Sequence, residues 1–147
     1  MTWLNDERGS AVVTIVLLPL LMVVLGGTLE LGSLRVVAAR AQTAADLAAL
    51  TAVNDQDDAE LRRTGRLRPA ADAEAIARAS FAENLVTVAA ALAATPAEIA
   101  ARSTVTVLER PSTVRIAATV PVRTPFFGAL FARPSVDLPV RAAASSR

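Results

Sequence analysis

The side chains able to do chemistry in this 147-residue chain are few in kind. His, Cys, Tyr and Lys are all absent, so Asp, Glu, Ser, Thr and Arg are the only candidates for acid, base, nucleophile or ligand. That excludes Ser-His-Asp and Cys-His triads, thiolate or imidazole zinc sites, disulfides and Schiff-base chemistry. Acidic residues cluster once, at Asp55, Asp57, Asp58 and Glu60, where calcium is the chemistry to consider. The D-x-D-x-D-G spacing and distal Glu of a calcium loop are missing, and Arg62, Arg63, Arg66 and Arg68 follow directly, so the segment reads as a charge-balanced linker. No carboxylate pair stands in a patterned, pocket-like context. The expectation is therefore a non-enzyme without metal or cofactor.

Two carboxylates stand apart. Glu30 is the first ionisable side chain after a long apolar run. It either marks a lipid–water boundary or is drawn inward to meet a positive group of a partner subunit. Asp46 lies one helical turn after Gln42, which can hydrogen-bond it.

The elements that would position these groups begin with a membrane helix. Ser10 to Leu29 carries no charge, and twenty residues at about 1.5 Å each make roughly 30 Å, the thickness of a hydrocarbon core. Twelve of the twenty are Leu, Ile or Val, worth on the order of −5 kcal/mol toward insertion before Pro19, Gly26 and Gly27 take some back. Pro19 frees a backbone carbonyl and should bend the helix, while Gly26 and Gly27 allow close approach. Ala39-Arg40-Ala41 offers a signal-peptidase pattern, but the apolar run is long for a signal and the leading segment is not basic, so an anchor is favoured. With 53% hydrophobic residues and 15 basic against 14 acidic side chains, the chain suits lipid and carries no field to attract nucleic acid.

Beyond Leu29 the helical pattern continues to Val53. Leu34, Val37, Ala41, Ala45, Ala48 and Ala52 recur at three- and four-residue steps, a seam suited to packing against other helices. Ala70 to Ala94 reads as an amphipathic helix with Ala77, Phe81, Leu85, Val88 and Leu92 on its core face. Thr95-Pro96-Ala97-Glu98 is a capping box, and predicts a short helix to Arg102. The period then changes to two. Val105 and Val107, Val114 to Val122, and Val136 to Ala142 predict three strands with one face buried, with Glu109-Arg110-Pro111-Ser112 as the first turn and Pro121 and Pro139 suited to edge or bulged strands. Phe126, Phe127 and Phe131, with Leu130, fall in the connection before the last strand. They either plug the open side of the core or dock on a membrane surface or partner head.

The predicted fold is thus α+β: a long N-terminal transmembrane helix, then a small head of one or two helices on a three-stranded antiparallel sheet. Its expected divisions are a leader or cytoplasmic segment at 1–9, the transmembrane and extended helix at 10–53, a polar linker at 54–69 and the head at 70–147.

Glu7-Arg8-Gly9-Ser10-Ala11-Val12-Val13, Leu18-Pro19-Leu20-Leu21, Leu29-Glu30-Leu31-Gly32 and Ala41-Gln42-Thr43-Ala44-Ala45-Asp46-Leu47-Ala48-Ala49-Leu50 together resemble the N-terminal region of TadE- and TadG-like proteins of Flp (tight-adherence) pilus assembly. The resemblance implies a structural or assembly component, a minor pilin or pseudopilin-like subunit or a membrane-anchored accessory subunit, in an Flp/Tad-type pilus or related secretion system. It also implies other pilin-like or Tad assembly membrane proteins as partners, with Glu30, Phe126, Phe127 and Phe131 as candidate contacts. Location would be the cytoplasmic membrane, single-pass, with the head extracytoplasmic and the protein able to enter a pilus. Arg35 and Arg40 after the run point the other way by the positive-inside rule. In cleaved members a prepilin peptidase cuts after a glycine, which Gly9 and Ser10 match. Thr14 replaces the glutamate expected at the fifth mature position, leaving two readings, a minor pilin without that carboxylate or an uncleaved anchor. The alternative function is a solitary membrane-anchored binding or adhesion module.

Overall fold

The computed structural model describes residues 7–65, 67–109 and 112–146, with side chains from Val13 onward. Arg66, Arg110 and Pro111, and most of the expected leader at 1–9, lie outside the described residues. The first element, α1, runs unbroken from Glu7 to Asn54, through Pro19. It is long and apolar enough to cross a membrane, and almost none of its most apolar stretch is buried by the rest of the chain. A core helix of a soluble domain would instead hide that stretch.

The outer half of α1 behaves differently. Val37, Ala41, Ala44, Ala45, Ala48, Ala49, Ala52 and Val53 are buried, with Leu34 packed beside them. The predicted seam therefore exists, but what fills it is the chain's own head: α1 lies against α3 (Ala73–Leu85) and against the sheet. Alanine is the reason these elements come so close, since a methyl group keeps neighbouring backbones near one another without losing helix propensity.

Between them, 54–69 is more ordered than a plain linker. Asp57 accepts backbone N–H bonds from Ala59 and Glu60, both at 3.0 Å, and so caps α2 (Asp58–Thr64). Gly65 ends α2 in the left-handed conformation at φ 69°, where glycine meets no Cβ penalty. The segment's ends meet through a Gln56–Pro69 bridge.

Helix α3 buries Ala77, Phe81 and Leu85, and a 3-10 turn at Val86–Ala91 carries the same face on through Val88 to Leu92. The expected single helix to Ala94 thus starts three residues later and tightens after Leu85. Thr95 caps α4 (Pro96–Ala101) by the reciprocal capping box, its hydroxyl accepting from the Glu98 N–H and the Glu98 carboxylate accepting from the Thr95 N–H.

The sheet is antiparallel, in the order β1 (Thr104–Glu109), β2 (Ser112–Arg123), β3 (Ser135–Ser145). Val114, Ile116, Val120, Val122, Val140 and Ala142 supply its buried face. β1 pairs with β2 only from Ser112 to Ala117, whereas β3 pairs with β2 along Thr113–Arg123. Pro121 therefore sits where β1 no longer reaches, and Pro139 sits on an outer strand, so neither proline interrupts a three-stranded stretch. The Pro121 carbonyl accepts from the Ala93 N–H at 2.8 Å.

Candidate functional site at the junction of head and apolar helix

Between β2 and β3 the chain leaves the sheet at Thr124 and returns at Pro134. Thr124 closes this excursion at its base: its N–H donates to the Pro134 carbonyl at 2.9 Å and its hydroxyl to the Arg133 carbonyl at 2.6 Å, both from a fully buried position. Pro125 then opens a short helix, α5 (Pro125–Phe131), where the sequence reading has only a connection. Proline at the first helical position is pre-set for that φ and has no N–H to satisfy. Ala132 ends the helix at φ 55°, a left-handed conformation that costs a non-glycine residue about 1 kcal/mol.

Glu30 of α1 faces the start of α5. One carboxylate oxygen accepts from the Phe126 N–H at 3.1 Å, the other from the Phe127 N–H at 2.6 Å. Those N–H groups have no partner inside their own helix, and the positive end of the peptide dipoles lies there, so an anion is the matching group. Glu30 is 8% exposed and is therefore drawn inward; the groups that receive it belong to its own chain.

One turn toward the N-terminus, the phenylalanines use the glycines. The Phe126 ring lies directly on Gly26, where an added Cβ would stand 2.7 Å from Cδ2 and 2.8 Å from Cζ. Phe127 lies in ordinary van der Waals range of Gly27. The rings of Phe126 and Phe127 meet edge to face at 6.0 Å, and Phe127 and Phe131 are 6.1 Å apart. No residue of α5 is fully buried. The cluster therefore does not plug the core of the head: two rings lean on α1, and Phe131 and Leu130 remain exposed.

Other expected groups lie elsewhere. Gly9 and Ser10 fall in the first turns of α1 and are described by backbone alone, and Pro19 is exposed within the apolar stretch, remote from the head. Gln42 bonds Asp46 at 3.1 Å, as its spacing predicts, and its amide also pairs with the backbone of Arg141, donating to the carbonyl at 2.7 Å and accepting from the N–H at 3.4 Å. That ties β3 to α1. In the acidic segment, Asp58 pairs with Arg62 and Glu60 with Arg63. The Arg63 side chain, by its hydrogen bond, holds the Glu60 carboxyl below the usual carboxylate range. Among the described residues, no group of three or more acidic side chains is arranged to hold a metal ion.

The Glu30–α5 clasp is the feature that sequence reasoning missed. Two local signals bear on it, Pro125 after Thr124 as a helix start and the Gly26-Gly27 pair one turn before Glu30. Their meeting across 96 residues has no periodicity to reveal it.

Residues 9–55 match the family model described as putative Flp pilus-assembly TadE/G-like. This is the same stretch whose motifs carry the resemblance, and it ends where α1 ends. No curated protein and no solved structure matches the chain.

Proposed function

We propose, from the match of residues 9–55 to the TadE/G-like Flp pilus-assembly family model, which supports a role in Flp pilus assembly in general, that the protein is a non-enzymatic, minor pilin-like or anchored accessory subunit of such a pilus or a related secretion system. The observation that carries this reading is the division of α1. Its inner half, bare in the isolated chain, fits a single-pass membrane anchor, and its outer half is the spine of a folded head. Such a protein works by lateral contact in the bilayer and by head-to-head recognition outside it. Pro19 shapes the inner helix, and the exposed leucines and valines on either side of it are the surface offered to other pilin-like or Tad membrane proteins. In this reading the head faces the outside of the cytoplasmic membrane.

Crosslinking in native membranes tests the role. Adducts with other Tad assembly proteins support it; a chain that crosslinks to none, in cells whose Flp-type pili form normally without it, overturns it in favour of a solitary binding or adhesion module. N-terminal sequencing of the membrane-bound protein separates the two forms within the proposal. A start at Ser10 identifies a prepilin-peptidase product that can enter a filament, and a start at Met1 or Thr2 identifies an uncleaved anchor.

A further inference from the structure

The clasp between Glu30 and α5 has a definite depth. Charges at Glu7 and Arg8 on one side and at Glu30 on the other leave Ser10–Leu29 as the one uncharged stretch of about 30 Å that a bilayer can cover. Gly26 lies four residues, about 6 Å, inside the Glu30 end of that stretch. Phe126 rests on Gly26 and Phe127 on Gly27. A bilayer that surrounds α1 as far as Leu29 must therefore also meet α5.

We infer that α5 is an interfacial anchor, a short helix of the head that lies at the boundary of headgroups and acyl chains of the leaflet it faces and inserts Leu130 and Phe131 into it. This rests on the reading of α1 as a membrane span. The chemistry of α5 fits the position. Pro125–Phe131 carries no charge, Phe131 is 62% exposed and Leu130 47%, and the nearest charges along the chain, Arg123 and Arg133, flank the helix on either side. Arg133 lines one shallow hollow with Phe127, Phe131 and Val136, so a basic residue borders the apolar face, a pairing suited to phosphate headgroups above acyl chains. The inference also explains Glu30. Unpaired backbone N–H groups are costly near hydrocarbon, and the carboxylate satisfies two of them while its own charge is met by the positive end of α5. The occupant of the exposed Phe131 face is thus lipid, by continuity with the span that α5 leans on.

Depth-dependent fluorescence quenching tests this in the full chain, reconstituted in phosphatidylcholine–phosphatidylglycerol vesicles. The native Trp3 is replaced (Trp3→Phe), and a single tryptophan is placed by Phe131→Trp, a conservative change at an exposed site, or by Leu20→Trp at the middle of the span. Lipids brominated near the headgroup end of the acyl chain should remove most of the Phe131→Trp emission, and lipids brominated near the chain ends should remove most of the Leu20→Trp emission. If Leu20→Trp is quenched as stated but Phe131→Trp is open to acrylamide and untouched by brominated lipid, α5 stands in water and the inference is overturned while the span survives. If Phe131→Trp is shielded from both quenchers, a protein surface covers it and the inference is equally overturned. If brominated lipid fails to quench Leu20→Trp, the span itself falls, and the inference with it.

Discussion

The two halves of α1 are one continuous helix of mostly apolar residues, yet the chain treats them in opposite ways. From Val13 to Leu25 the side chains are large and exposed, whereas from Val37 to Val53 the inward residues are chiefly alanine and are buried by α3 and the sheet. What differs is side-chain size. Leucine, valine and isoleucine make a broad surface suited to a fluid apolar solvent, and alanine makes a groove into which rigid elements of the same chain can settle. Hydropathy alone does not separate these cases; the volume at each inward position does.

The comparison can be broken most forcefully from the head side. Phe81 is fully buried against the alanine half, and Phe81→Ala should lower head stability by about 3–5 kcal/mol, read by urea unfolding of the detergent-solubilised chain. Filling the groove instead of emptying its partner should come next. Ala45→Leu places a bulky side chain at a site with no exposure and should cost about 3 kcal/mol in the same measurement, while Leu21→Ala in the bare half should change it by less than about 0.5 kcal/mol.

A smaller effect is expected where the halves meet. Glu30→Ala removes the acceptor for two N–H groups, and should lower the local stability of α5 by about 2 kcal/mol, seen as faster hydrogen exchange at Phe126 and Phe127 with the sheet amides unchanged. The mildest test leaves both halves of α1 untouched. Thr95→Ala should cost about 1 kcal/mol through loss of the α4 cap. Its pH dependence has a fixed sign: the Thr95 backbone N–H, and then its hydroxyl, hold the Glu98 carboxyl below its ordinary value. A depressed carboxyl stabilises the fold above its unfolded pKa of about 4.3 and loses that contribution as pH falls through the lower folded value. The wild-type chain should therefore lose cap protection on acidification below that range, and Thr95→Ala should show less of this loss.

Most of the architecture was legible because it rests on local pattern. The period-two runs place all three strands, the Thr95–Glu98 spacing gives the cap of α4, and Ala77, Phe81, Leu85, Val88 and Leu92 form the buried face that their spacing predicts. The alanine seam was visible too, but not its occupant, since small residues at helical spacing admit a partner helix and the chain's own head equally well. The phenylalanine cluster was harder still. Its place is set by Gly26, Gly27 and Glu30, roughly a hundred residues away, and such a contact follows from the assembled geometry of β2, β3 and α1 and not from any periodicity.

The central claim, that a single helix passes from lipid into protein near Glu30, is open to one direct measurement. The chain has no cysteine, so single-cysteine substitutions along Val13 to Val53 in opened native membranes can be labelled with a water-soluble maleimide. The account predicts protection on every face from Val13 to Leu25, then a helical alternation in which Ala41, Ala45, Ala48 and Ala52 stay protected while Arg40, Leu47 and Leu50 react. Free labelling of positions such as Leu17, Leu20 and Leu21 would place the inner half in water and contradict it.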